Sequence, residues 1–404
     1  MTAPLTGTSR GERSPILETV GAFLRLGCLS FGGPVAHLGY FQNELVQRRR
    51  WVSEATFADV VALCQFLPGP ASSQVCFALG TLRSGLLGGF LGWMAFTLPS
   101  ALLMIGFAYG VHEIDITSAG WLRGLKVAAV AVVAQAVWLM TRKLCPDLPR
   151  LTLMAVCAGI LMATHMPALQ PALIAAGALF GVIFLESKTS VAMDHPNFAA
   201  NLHLSRGAAA LSLALFGTLL AGSLLWHGGH GFTDLFARFF RTGSLVFGGG
   251  HVVLPLLEGE TVHSGLVSHD VFLAGYGAAQ ALPGPLFTFA GFLGASINTG
   301  WPGWFTGAWC LGAILLPSLL LIVGVLPFWA RLTGNARAQA ALKGANAAVV
   351  GLLVAAFYDP VCTSGLTSLS AALIALAAFA LLQFAKLPNW GVVLTCAAVG
   401  QVLL

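Results

Sequence analysis

An all-α polytopic membrane protein built from two inverted-topology repeats is the fold class this sequence predicts, and three observations predict it. The chain has 404 residues, 57% hydrophobic and only 9% charged, where a soluble domain carries about 25% charged residues. Its mean hydropathy is +0.84, so too little polar surface is left to cover it in water. Apolar runs such as 86–111 and 125–140 are long enough for membrane helices and do not alternate, which disfavours a β-barrel. Finally, the chain repeats itself. FLRLGCLSFGGP at 23–34 returns as FFRTGSLVFGGG at 239–250, placing Phe31-Gly32-Gly33 on Phe247-Gly248-Gly249, 216 positions on. Pro68-Gly69-Pro70 returns as Pro283-Gly284-Pro285, 215 positions on.

Taken in order, residues 1–16 form a polar, Arg-bearing tail without a cleavage-like site, read as cytoplasmic. The first repeat, 17–185, opens with a broken element at 17–40 and a polar strip ending Gln47-Arg48-Arg49-Arg50. A second broken element at 55–82 is split by Pro68-Gly69-Pro70, and apolar spans follow at about 84–110, 121–141, 151–166 and 168–185. Residues 186–232 supply a polar loop and a lone span near 207–226 with no counterpart elsewhere. The second repeat, 233–404, has broken elements at 235–257 and 271–297 and spans near 303–328, 339–357, 366–383 and 388–404. Leu98-Pro99-Ser100 matches Leu316-Pro317-Ser318, and Leu125-Lys126 matches Leu342-Lys343.

Charge orients these elements. Basic clusters (Arg48 to Arg50, Arg83, Arg142 with Lys143, Arg331 with Arg337, Lys386) belong inside, and acidic loops (Glu113 with Asp115, Glu258 with Glu260 and Asp270, Asp359) belong outside. This assignment requires four crossings per half, one from the linker span, and broken elements that enter and leave on the same side. It turns the second half upside down and leaves the C-terminus periplasmic. Such inverted repeats with broken helices are the architecture of secondary transporters.

Non-helical backbone is tolerated at membrane depth only where it lines a cavity or is buried in protein. Glycine opens that backbone to a ligand, and proline ends one half-helix and starts the next. Half-helix N-termini after Pro70 and Pro285 carry unpaired N–H groups and partial positive charge, an anion site. The candidate binding residues are therefore Arg25, Gly32, Gly33, Gln65, Pro68, Gly69, Pro70 and Ser72, with Arg241, Gly248, Gly249, Gln280, Pro283, Gly284 and Pro285 from the second half. Arg25 and Arg241 each precede a Gly-Gly by seven positions and have no acid at helical spacing in their own segment, leaving an anionic substrate as a partner. Interfacial snorkelling is the competing reading. Lys126 and Lys343 form a second matched basic pair, open to the same two readings.

His37, His251 and Glu258 are the candidates for proton coupling, against an ordinary structural role for each. The eight cysteines are scattered without metal-ligand or redox spacing and read as packed thiols. No phosphate-binding loop, dinucleotide fingerprint or zinc motif occurs, so neither cofactor, metal nor nucleic acid is expected, and the chain does not read as an enzyme. The bilayer is its expected medium; the sequence allows a homodimer without specifying one.

FLRLGCLSFGGPVAHLGYF at 23–41, RRRWVSEATFADVVALCQFLPGPASSQ at 48–74, FRTGSLVFGGGHVVLPLLEGE at 240–260 and AQALPGP at 279–285 together resemble the signatures of the chromate ion transporter family. The likeness is to its long, two-domain branch and covers almost the whole chain. It implies antiparallel halves in the inner membrane and proton-driven chromate efflux that confers chromate resistance. Pro34 is replaced by Gly250 and His37 by Val253 in the second copy, so the halves do not contribute equally. Chromate is a tetrahedral dianion like sulfate, so sulfate or another oxyanion stays open as cargo, as does an anion channel in place of a transporter; a membrane-embedded chromate reductase is a remote third.

Overall fold

The computed structural model describes residues 14–112, 120–164, 169–185, 205–226, 231–247, 252–328 and 335–404, and these are helical with no strand among them. Helix α1 (Pro15–Leu29) starts where the Ser14 hydroxyl accepts the Leu17 N–H, with Pro15 at its first position. It stops at Ser30. Gly32 and Gly33 follow at φ +97° and +78°, a reversal that only glycine makes cheaply. Helix α2 (Gly33–Phe41) then runs into a π turn (Gln42–Arg48). Helix α3 (Glu54–Phe66) and helix α4 (Ala71–His112) flank the first Pro-Gly-Pro, and α4 is bent at Ser84 and Gly85. Helices α5 (Gly120–Leu144), α6 (Leu148–Thr164) and α7 (Gln170–Phe184) complete the first half, and α8 (Arg206–Leu225) links the two.

The second half follows the same plan with α9 (Phe232–Leu245), α10 (Val253–Thr261), α11 (His269–Ala281), α12 (Phe289–Ser296) and α13 (Gly303–Val325). It ends with α14 (Ala336–Ala356), α15 (Leu369–Gln383) and α16 (Asn389–Leu403). The expected helical membrane class is what the structure shows. Among the described residues, five stretches are long and apolar enough to cross a bilayer: Ala71–Val111, Gly120–Leu144, Arg206–Leu225, Gly303–Phe328 and Ala336–Gly365.

The terminal helix pairs fall close to the expected spans and are short. α6, α7, α15 and α16 have 15 to 17 residues, about 22 to 26 Å at 1.5 Å per residue, short of a hydrocarbon core of roughly 30 Å. They are held instead by exchange between the halves: α6 and α7 pack on α14, while α15 and α16 pack on α5. Small residues make the close seams. Gly177 and Gly181 meet Ala348, Gly344 and Ala340, and Gly120 and Gly124 meet Gly400 and Cys396.

The long bent α4 shows the inversion directly. Arg83, at its bend, holds Glu18 at the start of α1 (2.7 Å), and the Thr19 and Ser84 hydroxyls are 3.0 Å apart. At its far end, the Tyr109 hydroxyl accepts the Trp304 N–H at the start of α13, and the Trp309 indole donates to the Phe232 carbonyl at the start of α9. The first helices of the two halves therefore enter from opposite ends, separated by about 27 residues of α4, or roughly 40 Å. Each broken element returns to the end it came from: Arg49, after α2, reaches Glu18, and Arg238 of α9 reaches Glu260 of α10.

Candidate functional site

Each half places its Pro-Gly-Pro against the break in the other half. The Gly69 N–H donates to the Val246 carbonyl at 2.7 Å, and the Gly284 N–H donates to the Ser30 carbonyl at 2.9 Å. Val246 and Ser30 are the residues that end α9 and α1. Gly69 and Gly284 lie at φ +118° and +95°, and both are wedged against a serine of the opposite half. A side chain on Gly69 would run into the Ser318 hydroxyl, and one on Gly284 would stand 2.6 Å from Ser100 Oγ. Ser100 and Ser318 are the matched serines of the two Leu-Pro-Ser sequences. Matching contacts within each half lie one turn earlier, where Gly27 and Gly243 let α1 and α9 touch the backbones of Phe96 and Ile314.

These two clasps hold polar atoms that nothing satisfies among the described residues. The hydroxyls of Ser30, Ser73 and Ser318 are buried without a hydrogen-bond partner, and the Gln280 amide nitrogen lies beside the buried Tyr276 hydroxyl. Gln74 gives its amide N–H to the Pro68 carbonyl at 2.7 Å and leaves its oxygen unpartnered. His37 is fully buried, with Nε2 on the Ser30 carbonyl at 3.1 Å and Nδ1 unpartnered. The amides of Ala71, Ser72 and Ser73 open helix α4, and Gln74 makes its first backbone bond, to Pro70. Unpaired buried donors normally cost about 1–3 kcal/mol each. The two clasps are where several of them stand in this structure.

Of the residues named from sequence, Pro68, Gly69, Pro70, Ser72, Gln280, Pro283, Gly284 and Pro285 lie at the clasps. Gly32 and Gly33 form the break beside Ser30, and no described atom lies within 4 Å of where a Gly33 side chain would sit. Gly248, Gly249 and His251 fall outside the described residues. Arg25 and Gln65 are not brought to the clasps; both lie on exposed helix faces. Arg241 finds its partner in protein. It binds Glu260 through two nitrogens (2.6 and 2.7 Å) and also donates to the Ser223 carbonyl. Arg241 and Arg25 differ in their surroundings: Glu260 pairs with Arg241 while its equivalent Glu44 pairs with Arg48 and Arg49, and α8, packed on α9, adds the Ser223 carbonyl.

Lys126 pairs with Asp270 at 2.9 Å, and Lys343 lies toward the other end of α5, where Asp147 pairs with Arg150. Glu258 is buried with its carboxylate 2.8 Å from His263 Nδ1. That hydrogen bond raises the His263 pKa above its ordinary value, against a smaller opposing effect of burial. A cavity of about 450 Å³ opens beside α9, lined by Arg238, Arg241, Thr242, Leu245, Glu260 and His263. It reaches Leu245, the residue before Val246, and the buried Thr242 hydroxyl on its wall has no partner among the described residues.

Sequence reasoning did not single out Ser30, Gln74, Thr242, Arg238 or His263 as site residues, whereas Ser73 was a candidate donor beside Ser72. Ser100 and Ser318 were visible as a repeat match, without a role. Position in the repeat is the signal that could have drawn attention to them.

The chromate transporter family profile matches residues 17–182 and 233–401. A probable chromate transport protein of Synechococcus elongatus is 30% identical over 345 residues, covering 83% of this chain and 81% of that protein. The chromate transport protein of Pseudomonas aeruginosa is 30% identical over 347 residues, 83% of this chain and 79% of its own length. That of Cupriavidus metallidurans is 28% identical over 394 residues, 95% and 92% of the two chains. No solved structure matches the chain. With both halves matched and the repeated break sequences at the centre of the fold, the chain belongs to the chromate transporter family.

Proposed function

We propose that this protein exports chromate across the inner membrane by alternating access, driven by protons, and so confers chromate resistance. The reciprocal glycine clasp supports the reading most: it joins two broken helices from opposite ends around buried, unpartnered donors. A tetrahedral dianion loses its hydration shell only if oriented donors replace it. Ser30, Ser73, Ser318, Gln280 and the α4 N-terminal amides are such donors, with Gly32, Gly33 and the two Pro-Gly-Pro turns giving backbone access. The cavity bearing Arg241 and Arg238 is the periplasmic approach, with both guanidiniums held by Asp234 and Glu260. The N-terminus is cytoplasmic by the distribution of basic residues. Proton coupling rests with His37 at the clasp and with Glu258 and His263 at the mouth.

The test is uptake of labelled chromate into everted vesicles under imposed pH gradients of both signs. Uptake that follows the gradient and reverses with it is expected. Ohmic chromate current indifferent to the gradient would identify a channel instead, and sulfate that competes at equal concentration would make the cargo a broader oxyanion class.

A further inference from the structure

The acids that flank the two broken hairpins match across the repeat, yet different arginines bridge them. Glu18 and Glu44 in the first half correspond to Asp234 and Glu260 in the second, each 216 positions on. At one end of the molecule, Arg49 spans both acids, 3.2 Å from Glu18 and 2.7 Å from Glu44. At the other end, Arg238 spans the equivalent acids, 2.7 Å from Asp234 and 3.7 Å from Glu260, while donating to the Glu260 carbonyl at 3.0 Å. The arginines are not equivalent by sequence: Arg49 follows the π turn after α2, whereas Arg238 lies on α9, where the first half has Ala22. Duplication explains the acids, but it does not explain two bridges made from unrelated positions.

Each bridge ties the outgoing leg of a broken hairpin to its incoming leg, away from the tip that carries the clasp. We propose that Glu18–Arg49–Glu44 and Asp234–Arg238–Glu260 are latches closing opposite ends of the transport path, with Arg49 and Arg238 as positioning residues. This deepens the alternating-access reading and rests on it. The two ends differ in this conformation. Arg83 and the Trp51 indole add further bonds to Glu18, at 2.7 and 3.1 Å, and tighten the first latch. The second latch stands on the wall of the cavity that reaches Leu245. The helix types differ as well: the π turn at Gln42–Arg48 overlaps the positions equivalent to the last α-helical turn of α10. A register change between these states is a way for one hairpin to loosen as the other tightens.

The test places a thiol at the clasp as Ser73→Cys in the full chain and measures its labelling by an impermeant reagent from each face of oriented vesicles, relative to the parent protein. Arg49→Gln should raise labelling from the end bearing Glu18 about tenfold, and Arg238→Gln from the opposite end by a smaller factor, since Arg241 still holds Glu260. Arg49→Lys and Arg238→Lys should recover part of each effect. Should Arg49→Gln fail to reach the membrane, Glu18→Gln loosens the same latch. Unchanged labelling, or both variants exposing the same end, would overturn the latches. Labelling needs no substrate, so it is separate from transport: a parent that carries no chromate would refute the functional reading, whatever the accessibility.

Discussion

The Gly69 amide reaches the Val246 carbonyl of the opposite half at 2.7 Å, and the symmetry-related Gly284 amide does the same to Ser30 at 2.9 Å. Both glycines sit at positive φ, against serines that leave no room for a side chain. Gly69→Ala and Gly284→Ala should therefore each cost about 1–2 kcal/mol from backbone strain alone, with displacement of Ser318 or Ser100 in addition. Thermal unfolding in detergent should fall for both, and chromate transport should be lost more completely than stability.

Ser73→Ala and Ser318→Ala should separate binding from folding. Each removes a buried hydroxyl without a described partner, so stability should hold or rise by up to about 1 kcal/mol. Transport should show a KM raised about tenfold per lost donor, the kinetic equivalent of about 1.4 kcal/mol. Loss of stability with unchanged KM would make these hydroxyls structural.

Arg241 and Glu260 are mostly buried and bonded through two nitrogens. Arg241→Gln or Glu260→Gln alone leaves an uncompensated charge, at a cost of up to about 3 kcal/mol. The double variant should be less harmed than the sum of the two, by at least about 1 kcal/mol in a thermal double-mutant cycle.

His263 gives a pH signature. Its pKa is raised by the hydrogen bond to Glu258, so its contribution is complete below the ordinary value of 6.5 and disappears as pH climbs through the raised value. Unfolding midpoints measured across that range should decline with pH in the parent, and His263→Gln should remove that part of the slope.

Much of this architecture was legible because duplication writes itself into spacing. Gly32, Gly69 and Pro70 repeat, and so do Ser100 and Lys126; inversion followed from where arginines and acids cluster. What spacing could not show is which half a motif faces. The Pro-Gly-Pro of one half serves the break of the other, so Ser30 and Ser318 acquire roles only in three dimensions. Arg25 and Arg241 look equivalent in sequence, but Glu260 goes to Arg241 while the matching Glu44 goes to Arg48 and Arg49. The acid that Arg241 lacks in its own helix comes from α10.

The most direct test of the crossed clasp as the oxyanion site is protection of one introduced thiol, read against the eight native cysteines of the parent. In a Ser318→Cys variant of the full chain, the rate of labelling is measured with and without saturating chromate, against chloride at equal ionic strength. Slowing by chromate alone, about tenfold or more, is the result this account predicts. Equal rates in chromate and chloride, from a protein that still transports, would place the oxyanion elsewhere.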